Sequence, residues 1–79
     1  MSQIQQQVIS LIQSKTGVVP EPEDTLDVMK LDSLAMAELT VEFEKAFGIA
    51  IDDDIVDVDD VRGLIAYVER RVAQRREDA

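Results

Sequence analysis

The stretch "LDSLAMAELTVEFEKAFGI", residues 31–49, decides the fold because it contains the start, the apolar stripe and the stop of one helix. Asp32 and Ser33 are both residue types that favour a helix N-terminus, and Gly48 favours the left-handed backbone that ends a helix. Apolar residues recur between them at helical spacing. The pattern predicts a helix from about Ser33 to Phe47 with this inner face: Met36, Leu39, Thr40, Phe43, Ala46 and Phe47.

Two roles are open for Ser33 at the start of this helix. A serine at the start of a helix is ordinarily its N-cap, so from the residue type alone capping is favoured over attachment of a covalent group. If Asp32 is the cap instead, Leu31 and Met36 stand at the two positions of a hydrophobic staple. Ser33 then becomes the first helical residue and points outward at the positive end of the helix, where backbone donors favour an attached phosphate diester. The residues alone leave both roles open.

The outer face of the same helix carries Leu34, Glu38, Val41, Glu42 and Lys45. Leu34 and Val41 are seven residues apart, so they share one solvent-facing line flanked by acids. Single exposed apolar residues are normal on protein surfaces. Two of them beside carboxylates also fit a small docking stripe for a partner protein.

An amphipathic helix and a long loop are predicted before this stretch. Ser2 and Gln5 can form a capping box, and Gly17 can end the helix. The apolar stripe of this helix consists of Ile4, Val8, Leu11 and Ile12, and Lys15 lies in its last turn. Pro20 and Pro22 then force extended backbone and open the loop. We expect the loop to contain one helical turn near residues 24–29 and to be pinned to the core by Leu26, Val28, Met29 and Leu31.

Two further helices are predicted after an extended link at Ile49 and Ile51. Asp52 to Asp54 start a short helix that runs through about Val58, and Asp59 or Asp60 caps a last helix. Its inner face holds Val61, Leu64, Ile65, Val68 and Val72, and its final turns hold Arg70, Arg71, Arg75 and Arg76. Gly63 inside this helix predicts the close approach of a neighbour. The expected fold is all-α: a small four-helix bundle, with three long helices and one short one, and a long loop between helices 1 and 2.

The composition argues against an enzyme. A chain of 79 residues is long enough for one domain, residues 1–79, and too small for a deep catalytic cleft. Cysteine and histidine are both absent, which removes thiolate nucleophiles, the usual zinc ligands and the usual general base near neutral pH. The aspartate run does not fit a calcium loop, because the sixth and twelfth positions counted from Asp52 are Asp57 and Gly63. We expect no metal site.

Seventeen acidic against eight basic residues give a formal charge of −9, which disfavours nucleic acid and anionic membrane surfaces as partners. Basic protein surfaces are the better candidates, although acidity alone also keeps a small domain in solution. No apolar run approaches the roughly 20 residues of a membrane span, and "MSQIQQQV" lacks the regions of a signal peptide. We therefore expect a cytoplasmic monomer.

The stretch "LDSLAMAELTVEFEKAFGIAI" resembles the acyl carrier protein family. The matching residues are Asp32, Ser33 and Leu34 at the head of the second helix, then Glu38, Leu39 and Phe47. The expected order of helices also fits, so the resemblance covers nearly the whole chain. It implies that a phosphopantetheinyl transferase attaches 4'-phosphopantetheine to Ser33 and that the thiol of this arm holds acyl groups as thioesters. A chain without cysteine would then still take part in thiol chemistry.

The resemblance also implies a docking surface. Asp32 and Leu34 flank the attachment point and would help the transferase to dock. Glu38, Val41 and Glu42 would meet basic and apolar surfaces of successive partners: an acyl-loading ligase or acyltransferase, and a ketosynthase or other acyl-processing enzyme.

Several residues depart from the family pattern. Lys30 stands where glycine is common, Ala35 stands where an acid is frequent, and Lys45 interrupts the acidic face. These departures favour a dedicated fatty-acid, polyketide or modified-lipid pathway over a housekeeping role. "LDSL" favours an acyl cargo over the aminoacyl cargo of a peptidyl carrier. A second alternative is an unmodified acidic helical module that binds a partner protein, in which Ser33 is only a cap. A hydrolase that uses the carboxylates is the least favoured alternative.

Overall fold

The computed structural model describes residues 3–78, with side chains as far as Arg75. These residues form three α-helices and one 3₁₀ helix: α1 (Gln3–Thr16), α2 (Ser33–Phe47), the 3₁₀ helix (Asp53–Asp57) and α3 (Val61–Asp78). Within residues 3–78 there is no strand, and β-type pairing is limited to one isolated antiparallel bridge between Thr25 and Asp60. The all-α prediction is confirmed.

Helix α1 packs against both α2 and α3. Val8 and Ile12 are fully buried, and Ile4 and Leu11 are partly buried against the same core. Gly17 has a φ of 78°, and its N–H donates to the Gln13 carbonyl at 2.7 Å, so it ends the helix as expected. The predicted cap Ser2 and the side chain of Arg76 lie outside the described residues.

The short helix after α2 is a 3₁₀ helix rather than an α-helix. The Ile55 N–H donates to the Asp52 carbonyl at 3.2 Å and the Val58 N–H to the Ile55 carbonyl at 3.1 Å, which is the i to i+3 pattern. Asp52 occupies the N-cap position, but its side chain makes no bond to the helix amides. Its carboxylate binds Arg71 of α3 at 2.8 Å instead. The expected count of four helices is met only when this 3₁₀ helix is included.

Asp60 caps helix α3, which decides between the two predicted candidates. Its Oδ1 accepts from the Gly63 N–H at 2.8 Å. A Cβ on Gly63 would lie 3.1 Å from Asp60 Oδ1 and 3.3 Å from Val58 Cγ1. The predicted close approach at this glycine is therefore confirmed. The neighbours are the capping residue Asp60 and Val58, the residue that follows the 3₁₀ helix.

The core is wholly apolar, and among the described residues no polar or charged residue is buried. Phe43 and Leu39 of α2 are completely buried, whereas the ring of Phe47 is only partly covered and lies 6.3 Å from that of Phe43. Ala46 is exposed, so its assignment to the inner face was wrong, because it lies at the edge of the apolar stripe. The residues of α3 in this core are Val61, Leu64, Ile65, Tyr67 and Val68, with Val72 partly buried beside them.

The loop between α1 and α2 is held to the core by three of its four predicted anchors. Leu26, Met29 and Leu31 are buried, whereas Val28 is 70% exposed and its prediction was wrong. The Met29 N–H donates to the Thr25 carbonyl at 3.1 Å, which gives the expected single helical turn. Consecutive apolar side chains cannot all point the same way around one turn, so Val28 faces the solvent.

Candidate functional site

Asp32 is the N-cap of α2. Its backbone is extended, with φ −74° and ψ −175°, and its Oδ1 accepts from the Ala35 N–H at 2.9 Å. Its carbonyl accepts from the Met36 N–H at 2.8 Å, which is the first bond of the helix. This geometry confirms the capping role predicted for Asp32 and makes Ser33 the first helical residue.

Ser33 is exposed at the positive end of α2, and its hydroxyl makes no hydrogen bond to any described residue. The staple residues lie behind it, with Leu31 buried and Met36 partly buried against the core. A phosphate diester on this oxygen would lie near the first backbone N–H groups of a helix, where negative charge is favoured. The residues around Ser33 therefore fit a 4'-phosphopantetheine arm.

A groove of about 820 Å³ opens beside Ser33 between the loop, α2 and the 3₁₀ helix. We call it the Ser33 groove. Its apolar lining residues are Leu26, Leu31, Met36, Ala37, Ile51, Ile55, Val56 and Val58. Two threonines and several aspartates complete the lining, including Asp32 at the helix start. An arm attached to Ser33 would start at the edge of this groove.

The outer face of α2 presents the predicted docking residues, but its carboxylates are already paired. Leu34 is 71% and Val41 48% exposed, as expected for a docking stripe. Lys15 of α1 places its Nζ 3.6 Å from Glu38 Oε2 and 3.7 Å from Glu42 Oε2. From the sequence, Lys15 was expected only in the last turn of α1, and its pairing with α2 was not predicted. Lys15 is the one charged residue of α1, and this could have indicated from the sequence that it pairs with acids of another helix.

A polar cluster joins the 3₁₀ helix to α3. The Tyr67 hydroxyl donates to Asp54 Oδ1 at 2.6 Å, and the Asp52 N–H donates to the Tyr67 oxygen at 3.1 Å. The Arg71 guanidinium lies 2.8 Å from Asp52 Oδ2 and 3.3 Å from Asp54 Oδ2, with its carbon 5.3 Å from the centre of the Tyr67 ring. Sequence reasoning placed Arg71 at the helix end and did not find this cluster.

The hydrogen bond from Tyr67, together with the charge of Arg71, lowers the pKa of Asp54 below its ordinary value. Burial raises the pKa of Tyr67, and the bond to Asp54 adds to that rise. Both shifts favour the protonation states that keep the bond, an ionised Asp54 and a neutral Tyr67.

Within residues 3–78, no three histidine, cysteine or carboxylate side chains are grouped as a metal site would need. No helix in that range is both long and apolar enough to cross a membrane.

Comparison with known proteins identifies the family. Residues 6–68 match the family model described as the phosphopantetheine attachment site. The chain belongs to the acyl carrier protein family. An acyl carrier protein from Amoebophilus asiaticus is 36% identical over 81 residues, covering 95% of this chain and all of that protein. One from Thermotoga maritima is 33% identical, covering 82% of this chain and 86% of that protein.

A third relative has a more specialised name. The meromycolate extension acyl carrier protein of Mycolicibacterium aurum is 31% identical, covering 100% of this chain and 91% of that protein. The predicted family and carrier function are thus confirmed. The protein is an acyl carrier that uses 4'-phosphopantetheine and is not a catalyst, and carriers of this family act with a phosphopantetheinyl transferase and acyl-processing enzymes.

Proposed function

We propose that Ser33 is the residue that carries the 4'-phosphopantetheine arm. The observation that carries this proposal is the capping geometry, in which Asp32 satisfies the helix amide and leaves the Ser33 hydroxyl exposed and unbonded to the described residues. The bound arm supplies a thiol that holds acyl groups as thioesters, which the side chains of this chain cannot do because it has no cysteine.

In the attachment step the Ser33 oxygen attacks the phosphorus next to the pantetheine of coenzyme A. The new O–P bond forms as the pyrophosphate bond breaks, the adenosine bisphosphate leaves, and the hydroxyl proton passes to a base of the transferase. The start of α2 contributes backbone N–H groups and a positive dipole end near the new phosphate diester. Asp32 holds that helix end in place and keeps it from fraying.

We propose that Asp32, Leu34, Glu38, Val41 and Glu42 form the docking surface for the transferase and the acyl-processing enzymes. Leu34 and Val41 offer exposed apolar area, and the carboxylates attract basic surfaces. The ion pairs with Lys15 reduce that attraction, because a partner cation must compete with an internal one. Such weak contacts suit a carrier that must leave each enzyme.

We propose that the cargo is an acyl chain that enters the Ser33 groove. The groove begins at the attachment residue, and half of its sixteen lining residues are apolar. We propose a dedicated fatty-acid, polyketide or modified-lipid pathway, with an acyl-loading ligase or acyltransferase and a ketosynthase as partners. The name of the Mycolicibacterium relative, which refers to meromycolate extension, supports the dedicated pathway. We place the carrier in the cytoplasm, as a monomer whose residues 1–79 form a single domain.

The test is to co-express the chain with a promiscuous phosphopantetheinyl transferase and to weigh the intact protein. We expect the wild type and Ser10→Ala, which removes an exposed hydroxyl of α1, to gain the mass of one arm. Ser33→Ala is expected to gain none. No gain on the wild type, or an equal gain on Ser33→Ala, would overturn the assignment.

A further inference from the structure

We propose that Tyr67 and Arg71 are positioning residues that hold one wall of the Ser33 groove and thereby limit how far an acyl chain enters. This inference rests on the proposed function, because it takes the groove as the site of the acyl chain. The wall is residues 52–60, which we call the strap. It contains the 3₁₀ helix and crosses from the end of α2 to the start of α3.

The first end of the strap is held by side chains of two helices. Glu44 of α2 accepts from the Ile51 N–H at 2.9 Å, just before the strap begins. Tyr67 accepts from the Asp52 N–H and donates to Asp54. Arg71 bridges the carboxylates of the same two aspartates, so four polar contacts with α3 fix two strap residues, Asp52 and Asp54.

The other end of the strap is held by backbone bonds to the loop. The Leu26 N–H donates to the Asp59 carbonyl at 3.0 Å, and Thr25 forms the isolated bridge with Asp60. Just beyond the strap, the Val61 N–H donates to the Asp24 carbonyl at 2.9 Å. This end depends on main-chain atoms, which side-chain substitutions leave in place.

The middle of the strap faces the groove. Ile55 is 9% exposed and Val56 is 79% exposed, and both line the Ser33 groove. The hydrogen bonds of Ile55 run within the strap, from its N–H to Asp52 and from the Val58 N–H to its carbonyl. Hydrogen bonds therefore hold this middle portion only through its ends, in addition to the packing of Ile55 in the core. The side-chain end is the one that Tyr67 and Arg71 control.

The Tyr67 side chain is suited to fix that end. The residue is 2% exposed, so its ring is held by the core and its hydroxyl reaches the strap from a rigid position. Tyr67→Phe keeps the ring but removes the acceptor of the Asp52 N–H and the hydroxyl donor to Asp54, which keeps only its contact with Arg71. Arg71→Gln removes the charge that bridges the two aspartates and leaves the buried ring untouched, which makes it a second variant at a less buried position.

The first measurement is amide hydrogen exchange on the chain without its arm, followed at Ile55 and Val58. We expect exchange at both amides to be about fivefold faster in Arg71→Gln and about tenfold faster in Tyr67→Phe. Arg70→Gln is the matched control, because Arg70 also lies near the Tyr67 ring, at 5.9 Å, but on the exposed side of α3. It is expected to change exchange by less than about twofold. Unchanged exchange in Tyr67→Phe and Arg71→Gln would overturn the anchoring role.

The second measurement uses carriers loaded with saturated acyl chains of increasing length and follows cleavage of the thioester by hydroxylamine. In the wild type we expect longer chains to be protected up to a limiting length, and in Tyr67→Phe we expect that limit to move to longer chains. An unchanged limiting length, despite faster exchange in the unloaded chain, would overturn the proposal. A wild type that never accepts the arm would overturn the Ser33 assignment, while the exchange data would still decide the anchoring role.

Discussion

Replacing Asp32 with alanine removes the carboxylate that accepts from the Ala35 N–H at 2.9 Å. Loss of such an N-cap costs ~1 kcal/mol, within a range of about 0.5–2 kcal/mol. Loss of a negative charge at an exposed helix N-terminus adds at most ~1 kcal/mol. We therefore expect the unfolding free energy of Asp32→Ala to fall by about 1–2 kcal/mol, and the Tm by about 4–8 °C for each kcal/mol in a domain of this size.

Two matched variants separate capping from other causes. Asp32→Asn keeps an oxygen that can accept from the same N–H, so it is expected to cost about 0.5 kcal/mol, mainly through the lost charge. Ser33→Ala changes an exposed first helical residue whose hydroxyl makes no bond to the described residues, and we expect a change within ~0.5 kcal/mol. The assay is urea unfolding followed by helical circular dichroism on the unloaded chains. A cost for Ser33→Ala equal to or above that of Asp32→Ala would make the serine the cap and refute the reasoning.

Three further perturbations test other parts of the molecule. At low salt, Glu38→Lys should slow loading by the transferase several-fold with helical content intact, because it reverses a negative charge of the docking surface. Lys15→Gln should speed loading, because it removes the cation that is paired with Glu38. Loading rates equal to the wild type would contradict a docking role. Gly48→Ala should lower the unfolding free energy by ~1 kcal/mol. Gly48 has φ 64°, and the added Cβ would lie 3.3 Å from Arg75 Nε. An unchanged Tm in thermal unfolding would argue against this strain. The stability that wild type gains over Tyr67→Phe should be complete above ~pH 3.9, the ordinary pKa of an aspartate, and should shrink as the pH falls through the lowered pKa of Asp54. Urea titrations at several acid pH values measure this difference, and a gap that stays constant would exclude Asp54 as its source.

The helices could be predicted because their signals are local. Gly17 and Gly48 end α1 and α2 in the left-handed conformation, as their residue type favours. The spacing of apolar residues placed the core faces of the three α-helices. The residue types at the start of α2 left Asp32 and Ser33 as alternative caps, and the bond from the Ala35 N–H to Asp32 decides between them. Ala46 was misplaced because a small residue at the edge of a stripe carries little information about burial.

The contacts between distant segments could not be predicted in the same way. The pairing of Arg71 with Asp52 joins residues 19 positions apart, and no periodicity links an aspartate in a connection to an arginine on a later helix. Lys15 meets Glu38 only because α1 and α2 pack side by side. The 3₁₀ geometry of Asp53–Asp57 depends on these tertiary contacts, since its capping carboxylate is taken by α3. The Ser33 groove likewise exists only once the loop and the strap are in place.

A core built from aliphatic and aromatic side chains favours acyl chains that carry no polar groups. A saturated tail that enters can exchange one set of dispersion contacts for another, because the one hydroxyl among the buried side chains of the described residues, that of Tyr67, is already bonded to Asp52 and Asp54. A hydroxyl or keto group on that tail would give up its water and find no free partner beyond the threonines and aspartates that line the groove, at a cost of roughly 1–3 kcal/mol where it reaches only apolar side chains. Discrimination by oxidation level would then arise from solvation rather than from a recognition residue. Fully reduced chains would stay shielded, and oxygenated ones would remain in solvent, open to the next enzyme.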